Sequence, residues 1–137
     1  MTDLENALML AERAVGRVCR RPGQGWFGWD GRSWVAEATP VSLMRLAAME
    51  VPGRWREMAE GETSPERQKT LRRHAGRCEA VGSIRAMVEL AALDERLVRR
   101  EEFDADPMVL ATPAGVLDLV TGDVRGHDPA DGLTRMA

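Results

Sequence analysis

From Glu102 to Asp131 the chain reads EFDADPMVLATPAGVLDLVTGDVRGHDPAD. Prolines at 107, 113 and 129 and glycines at 115, 122 and 126 leave no room there for a helix of ordinary length. Proline fixes φ and donates no backbone N–H, and glycine supplies the conformations that turns require. Between these breakers stand short β-prone runs, so the stretch predicts two or three short strands joined by tight turns. The segments before it follow a different period, and the two patterns together dictate an α+β chain.

Thr2-Asp3-Leu4-Glu5 has the form of a capping box, a hydroxyl at the N-cap and a carboxylate three residues on. Behind it Leu4, Leu8, Ala11, Val15 and Val18 recur at helical spacing, which predicts an amphipathic helix to about Arg17–Cys19, ended by RPGQG. WFGWDGRSWVAE then predicts a hairpin turning at Asp30-Gly31, with Trp29 and Trp34 covering one face of a helix layer. Thr39-Pro40 opens a second helix, with Leu43, Leu46, Ala47 and Val51 inward and a kink or end at Pro52-Gly53. Ser64-Pro65 starts a long helical stretch to about Leu93, with a break near Gly76 or Gly82. Its apolar rows are Leu71, Ala75 and Cys78, then Ile84, Met87, Val88 and Ala91. The final ADGLTRMA begins one more helical turn or frays. The expected fold is a mostly helical single domain over 1–137, with a Trp-rich hairpin near the N-terminus and a short hairpin or meander at the C-terminus.

A chain of 137 residues with 44% hydrophobic and 30% charged residues can bury a core without disulfides or metal. No apolar run approaches the length of a membrane span, and the acidic N-terminus lacks the pattern of a signal peptide. Cys19 and Cys78 are then expected as reduced thiols in the cytoplasm. The net charge of −3 is unevenly spread. Residues 1–100 hold 17 basic and 14 acidic side chains, whereas residues 101–137 hold 2 and 8. An anionic partner is therefore expected to meet the front of the chain.

Paired carboxylates at Asp104/Asp106 and Asp128/Asp131 have the spacing of metal ligands or acid–base pairs, and equally of turn residues. Asp106 precedes Pro107 and no third ligand stands at a recognisable spacing, so the turn reading is preferred, as it is for Asp118 and Asp123. His74, His127, Cys19 and Cys78 lack the paired-cysteine clamp of a zinc site, and Cys78 sits in an apolar row where a free cysteine acts as a small hydrophobe. No G-x-S-x-G elbow occurs, and PGQGWFG lacks the helix start of a phosphate loop. No catalytic residue, metal or cofactor is assigned to this chain. The remaining cluster is basic: Arg67, Lys69, Arg72, Arg73 and Arg77 follow one another with no acid between them. On a helix Lys69, Arg73 and Arg77 share a face with Arg72 beside it, which can neutralise phosphates. The alternative is a solvated face, or an ion-pairing surface for an adjoining subunit. Trp26 and Trp29 are expected in the core, with stacking on bases as the alternative.

The tail as a whole resembles the end of the N-terminal accessory domain of phage-, plasmid- and poxvirus-type primase-helicases of helicase superfamily three. That family carries an F-D-x-x-P turn, a strand, N/T-P-N-G-x-L-D-L-x-T-G and H-D-P-x-D. The matches are Phe103, Asp104, Pro107, Pro113, Gly115, Leu117, Asp118, Leu119, Thr121, Gly122, His127, Asp128, Pro129 and Asp131. TDLENA and GWFGWDGRSWVAE are similar to the family's opening T-D-x-x-N-A and its Trp-flanked D-G hairpin. The chain departs at Ala114, where the family has Asn, at Met108, where an aromatic is common, and at Pro52, in a helix that is usually continuous.

The resemblance implies a non-catalytic domain that precedes an ATPase motor and helps build its ring as a collar. ATP, magnesium, the phosphate loop and the arginine finger belong to that motor, which is expected beyond Ala137. DNA, the motor and sister subunits are the implied partners, in a bacterial or phage-infected cell, and the chain by itself is expected as a monomer or weak dimer. The motif aspartates then build turns of a scaffold. A stand-alone protein-interaction adaptor of a mobile element, without DNA contact, is the competing reading. A metal-dependent nuclease or polymerase piece using Asp104 and Asp106 ranks last.

Overall fold

The computed structural model describes residues 2–136 and has an α+β fold. Its contacts divide it into two compact units, one of Met1–Val15 with Val41–Leu97 and one of Gly16–Pro40 with Val98–Ala137.

The first unit is helical: α1 (Asp3–Ala14), α2 (Val41–Glu60), α3 (Pro65–Arg77), α4 (Val81–Ala91) and a 3-10 turn at Glu95–Leu97. The capping box forms in part, Thr2 Oγ accepting from the Glu5 N–H at 3.1 Å. The inward face of α1 corrects the sequence expectation. Leu4, Leu8 and Val15 are exposed, and the buried stripe is Asn6, Ala7, Leu10, Ala11 and Ala14. Alanine decides this. Ala7, Ala11, Ala14, Ala47, Ala59, Ala75 and Ala91 are all at most 3% exposed. Small side chains bring helix axes close, so that Leu10, Leu43 and Met87 fill the space between them at zero exposure. The helix also ends earlier than expected, at Ala14, because Val18–Arg21 is taken up by a strand.

α2 runs without interruption through Pro52 and Gly53. An internal proline removes one hydrogen bond and crowds the preceding turn, at a cost of about 3 kcal/mol. Val51, Pro52 and Trp55 are buried on successive turns with Leu43, Leu46, Ala47 and Ala59, and this packing outweighs the cost. The long helical stretch after Ser64 does break, at Cys78–Ala80, between the two glycines that sequence offered.

The second unit holds two antiparallel three-stranded sheets. β1 (Val18–Arg21), β2 (Gly25–Trp29) and β3 (Trp34–Glu37) form the first. The hairpin stands at the expected place, with a loop of four residues rather than two. Asp30 Oδ1 accepts from the N–H groups of Arg32 and Ser33, each at 2.8 Å. The amides of Ser33 and then Arg32 hold the Asp30 carboxyl below the usual carboxylate range. Trp29 and Trp34 lie on one face, ring centroids 5.5 Å apart, and Phe27, Cys19 and Phe103 complete their cluster. They build a core within this unit.

The second sheet is β4 (Val109–Thr112), β5 (Gly115–Asp118) and β6 (Val124–Arg125). A 3-10 turn at Pro129–Asp131 follows, then Gly132 in the left-handed region, and Met136 bridges Ala111 in parallel. Residues 132–136 thus add no helical turn, and Ala137 lies outside the described residues. None of the described helices is long and apolar enough to cross a membrane.

Candidate nucleic-acid interface

α3 begins as its sequence dictates. Ser64 Oγ accepts from the Arg67 N–H at 3.4 Å, Pro65 occupies the first turn, and Glu66 meets the positive end of the helix. Its buried seam is narrow: His74 and Ala75 are buried, and Gln68 and Leu71 half-buried. Gln68 Nε2 donates to the Ala59 carbonyl of α2 at 3.0 Å. At 3.6 residues per turn, Lys69 and Arg73 fall opposite that seam, with Arg72 and Arg77 flanking them.

All four of these cations are exposed, and among the described residues no ion pair forms to any of them. Arg67 does not join them. It stands on the seam side of the first turn with its Nε 3.5 Å from a Glu62 carboxylate oxygen. Glu66, also exposed, is the one carboxylate at the N-terminal end of the cationic face. Arg72, Arg73 and Arg77 lie in the last two turns, where positive charge suits the helix dipole. The face is therefore stable as a helix and uncompensated as a charge distribution. Lys69, Arg73 and Arg77 step along it at intervals of about 6 Å.

The opposite side of α3 explains what fixes this face. His74 Nε2 lies 3.1 Å from Asn6 Oδ1 and 3.4 Å from Cys78 Sγ. Trp55 Nε1 donates to the same Asn6 oxygen at 2.8 Å, and Asn6 Nδ2 donates to Cys78 Sγ at 3.3 Å. The Trp55 and His74 rings meet edge to face, centroids 4.6 Å apart. One amide from α1 thus joins α2 and α3. A proton on His74 Nε2 satisfies the set: the Asn6 oxygen takes two donors, and its nitrogen gives one. Burial, and next the Arg77 guanidinium, hold the His74 pKa below its ordinary value. Burial pushes the Cys78 thiol up against the opposing Asn6 donor.

With its proton on Nε2 the imidazole donates to Asn6 and does not take the thiol proton at that nitrogen, and burial favours the protonated Cys78 thiol. The sequence offered His74 and Cys78 together only as members of a disfavoured zinc set, and placed Trp55 on a further helical turn without a polar partner. The signal for the hub was Asn6 itself, a polar residue on the alanine stripe of a helix.

In the second unit the motif residues build turns and a small core. Asp104 adopts a positive φ of 53°. That conformation is held by its carboxylate, which accepts from Thr134 N–H at 3.0 Å and from the Thr134 hydroxyl, and by its own N–H, which donates to the Gly132 carbonyl at 2.8 Å. Asp106 accepts from Met108 N–H just past Pro107. Asp118 accepts from the Val120 and Thr121 amides, and Thr121 Oγ from Asp123 N–H, around Gly122 at positive φ. Asp128 caps the turn that opens at Pro129, and Asp131 forms a two-pronged ion pair with Arg125 at 2.6 and 2.7 Å. His127 Nε2 donates to the Thr112 carbonyl at 2.7 Å, beside the Pro113 turn.

Phe103 packs on Phe27, centroids 4.5 Å apart, and Leu117 lies on the outer face of the second sheet. Gly115 has no substitute: at φ 146° an added Cβ would stand 2.3 Å from the Arg125 carbonyl oxygen. Trp34 Nε1 donates to the Pro129 carbonyl at 2.9 Å, tying the tail to the first sheet.

Among the described residues no three His, Cys, Asp or Glu side chains converge as metal ligands. A groove of about 740 Å³ lined by Phe27, Trp34 and Phe103 also holds Glu102, Arg21, which donates to the Arg100 and Glu101 carbonyls, and Asp104, which accepts from Thr134. The Cys19 thiol in the adjoining cluster is pushed up to about 11 by burial, against the lowering effect of Arg99 and Arg21. Trp26 and Trp29 are each half-buried.

A family model described as "D5 N terminal like" matches residues 7–137. No curated protein matches the chain.

Proposed function

The chain belongs to the D5 N-terminal-like family, whose domain is found in phage, plasmid and poxvirus primase-helicases. On that premise we propose that it is a non-catalytic accessory domain of a mobile-element primase-helicase, acting in the cytoplasm of the host cell. It engages DNA and supports assembly of a helicase of superfamily three, alongside a motor domain and sister subunits. ATP and magnesium act in the motor. The match runs through both compact units, which supports treating residues 1–137 as one functional module.

The observation that carries DNA engagement is the face of Lys69, Arg72, Arg73 and Arg77: four exposed cations on one helix, none with a carboxylate partner among the described residues. A row of this kind attracts a line of phosphates and releases their counterions, without reading sequence. Trp29 packs against the Phe27–Trp34 cluster and Trp26 is half-buried, which supports backbone contact over base stacking.

Fluorescence anisotropy of a labelled single strand and a matching duplex tests this. Micromolar binding that falls at least about tenfold in Arg72→Glu/Arg73→Glu is expected. Equal binding by the parent and that variant would remove the face from the account, leaving assembly as the role of the domain.

A further inference from the structure

The second sheet is apolar on both sides. Its inner face, Ala111 and Val116, packs on Leu133. On the outer face Leu110, Leu117 and Val124 stand in register across all three strands, and Met108 and Leu119 form the next row. Leu110, Val124, Leu119 and Met108 are 40–56% exposed, and Val120 in the following turn 72%. An antiparallel sheet at a protein surface normally alternates apolar inside with polar outside. A sheet apolar on both faces has the pattern of a middle layer, which needs a cover on each side. We infer that this outer face is a docking site for a basic amphipathic helix of a partner polypeptide.

Size, shape and charge select that occupant. Six such side chains expose on the order of 400 Å², enough for a functional patch but about half of what each member of a stable free dimer buries. The row across three strands spans about 10 Å, the distance covered by positions i, i+4 and i+7 of a helix. Asp106 and Asp123 lie toward the Met108–Leu119 end of the sheet, Asp118 pairs with Val109 on the inner side, and Arg125 on the far strand is already neutralised by Asp131. A helix with cations flanking its apolar stripe matches that rim. A second copy matches poorly: this face against itself opposes acid to acid, and the exposed stripe of α1 is flanked by Asp3, Glu5 and Glu12. The inference stands independently of DNA binding by α3.

The test titrates the full chain, isotope-labelled, with two synthetic helices of about four turns. One carries a leucine stripe among lysines, the other the same stripe among glutamates. The lysine peptide is expected to bind, to shift the methyl resonances of Leu110, Leu117 and Val124, and to lose at least about tenfold in affinity against Leu110→Lys/Val124→Lys. It should bind unchanged to Leu4→Lys/Leu8→Lys, which alters only α1. Equal binding of both peptides, shifts centred elsewhere, no binding, or self-association of the chain through this face would each overturn the assignment.

Discussion

Asn6 carries more of the first unit than its size implies. Its amide oxygen receives the Trp55 indole and the His74 imidazole at once, in a site where Asn6 and His74 are 2% and 6% exposed. Truncation to alanine leaves both donors buried without an acceptor, which costs far more than the net value of the hydrogen bonds. Asn6→Ala is expected to lower unfolding stability by about 2–4 kcal/mol in urea titrations. His74 sets a pH dependence whose sign follows from its lowered pKa. The unfolded chain takes up the imidazole proton near pH 6.5 and the folded chain only below that. The native state therefore binds fewer protons through this window, and its stability falls as the pH drops below about 6.5. Unfolding midpoints between pH 5 and 8 should show the loss, and His74→Gln should flatten it. Both thiols are buried and raised, so neither Cys19 nor Cys78 should react with a thiol reagent at neutral pH until denaturant exposes it.

At the scale of elements, local signals located starts and turns better than faces and interruptions. Thr2, Ser64-Pro65 and Asp30-Gly31 each act where their chemistry placed them, because a cap or a turn is decided within four residues. The inward face of α1 was illegible for the opposite reason. Leucine and valine outweigh alanine in any apolar count, yet close packing on α2 and α4 selects the alanine side. At Pro52 the helix does not end: its local penalty is visible in sequence, and the burial of Val51, Pro52 and Trp55 is not. The tail was legible as short strands because Pro and Gly leave few alternatives. Its tightest approach to backbone is at Gly115, and Gly115→Ala, which would drive a methyl group into the Arg125 carbonyl, is expected to cost about 3 kcal/mol or more and to detach β6 from β5. Circular dichroism melts would show the loss. An unchanged melting temperature would contradict the close approach.

For the whole molecule, charge is the property on which the proposed function rests, and sequence exposed its distribution without its geometry. The run from Arg67 to Arg77 reads as five cations in a row, whereas folding sets Arg67 beside Glu62 and leaves four on one open face. The His74–Asn6–Trp55 hub lies behind that face and fixes the rotation of α3, so integrity of the buried network and presentation of the cations are coupled. Family membership supplies the primase-helicase setting, and the cationic face is the surface proposed to touch DNA. The most direct measurement is the salt dependence of single-strand binding. The logarithm of the association constant, plotted against the logarithm of salt concentration, gives the number of phosphates neutralised, at about 0.7 per contact for a single strand. Arg72→Gln/Arg73→Gln is predicted to lower the steepness of that plot by roughly 1.4, two contacts' worth. An unchanged slope, or no binding at low salt, would contradict DNA engagement through α3.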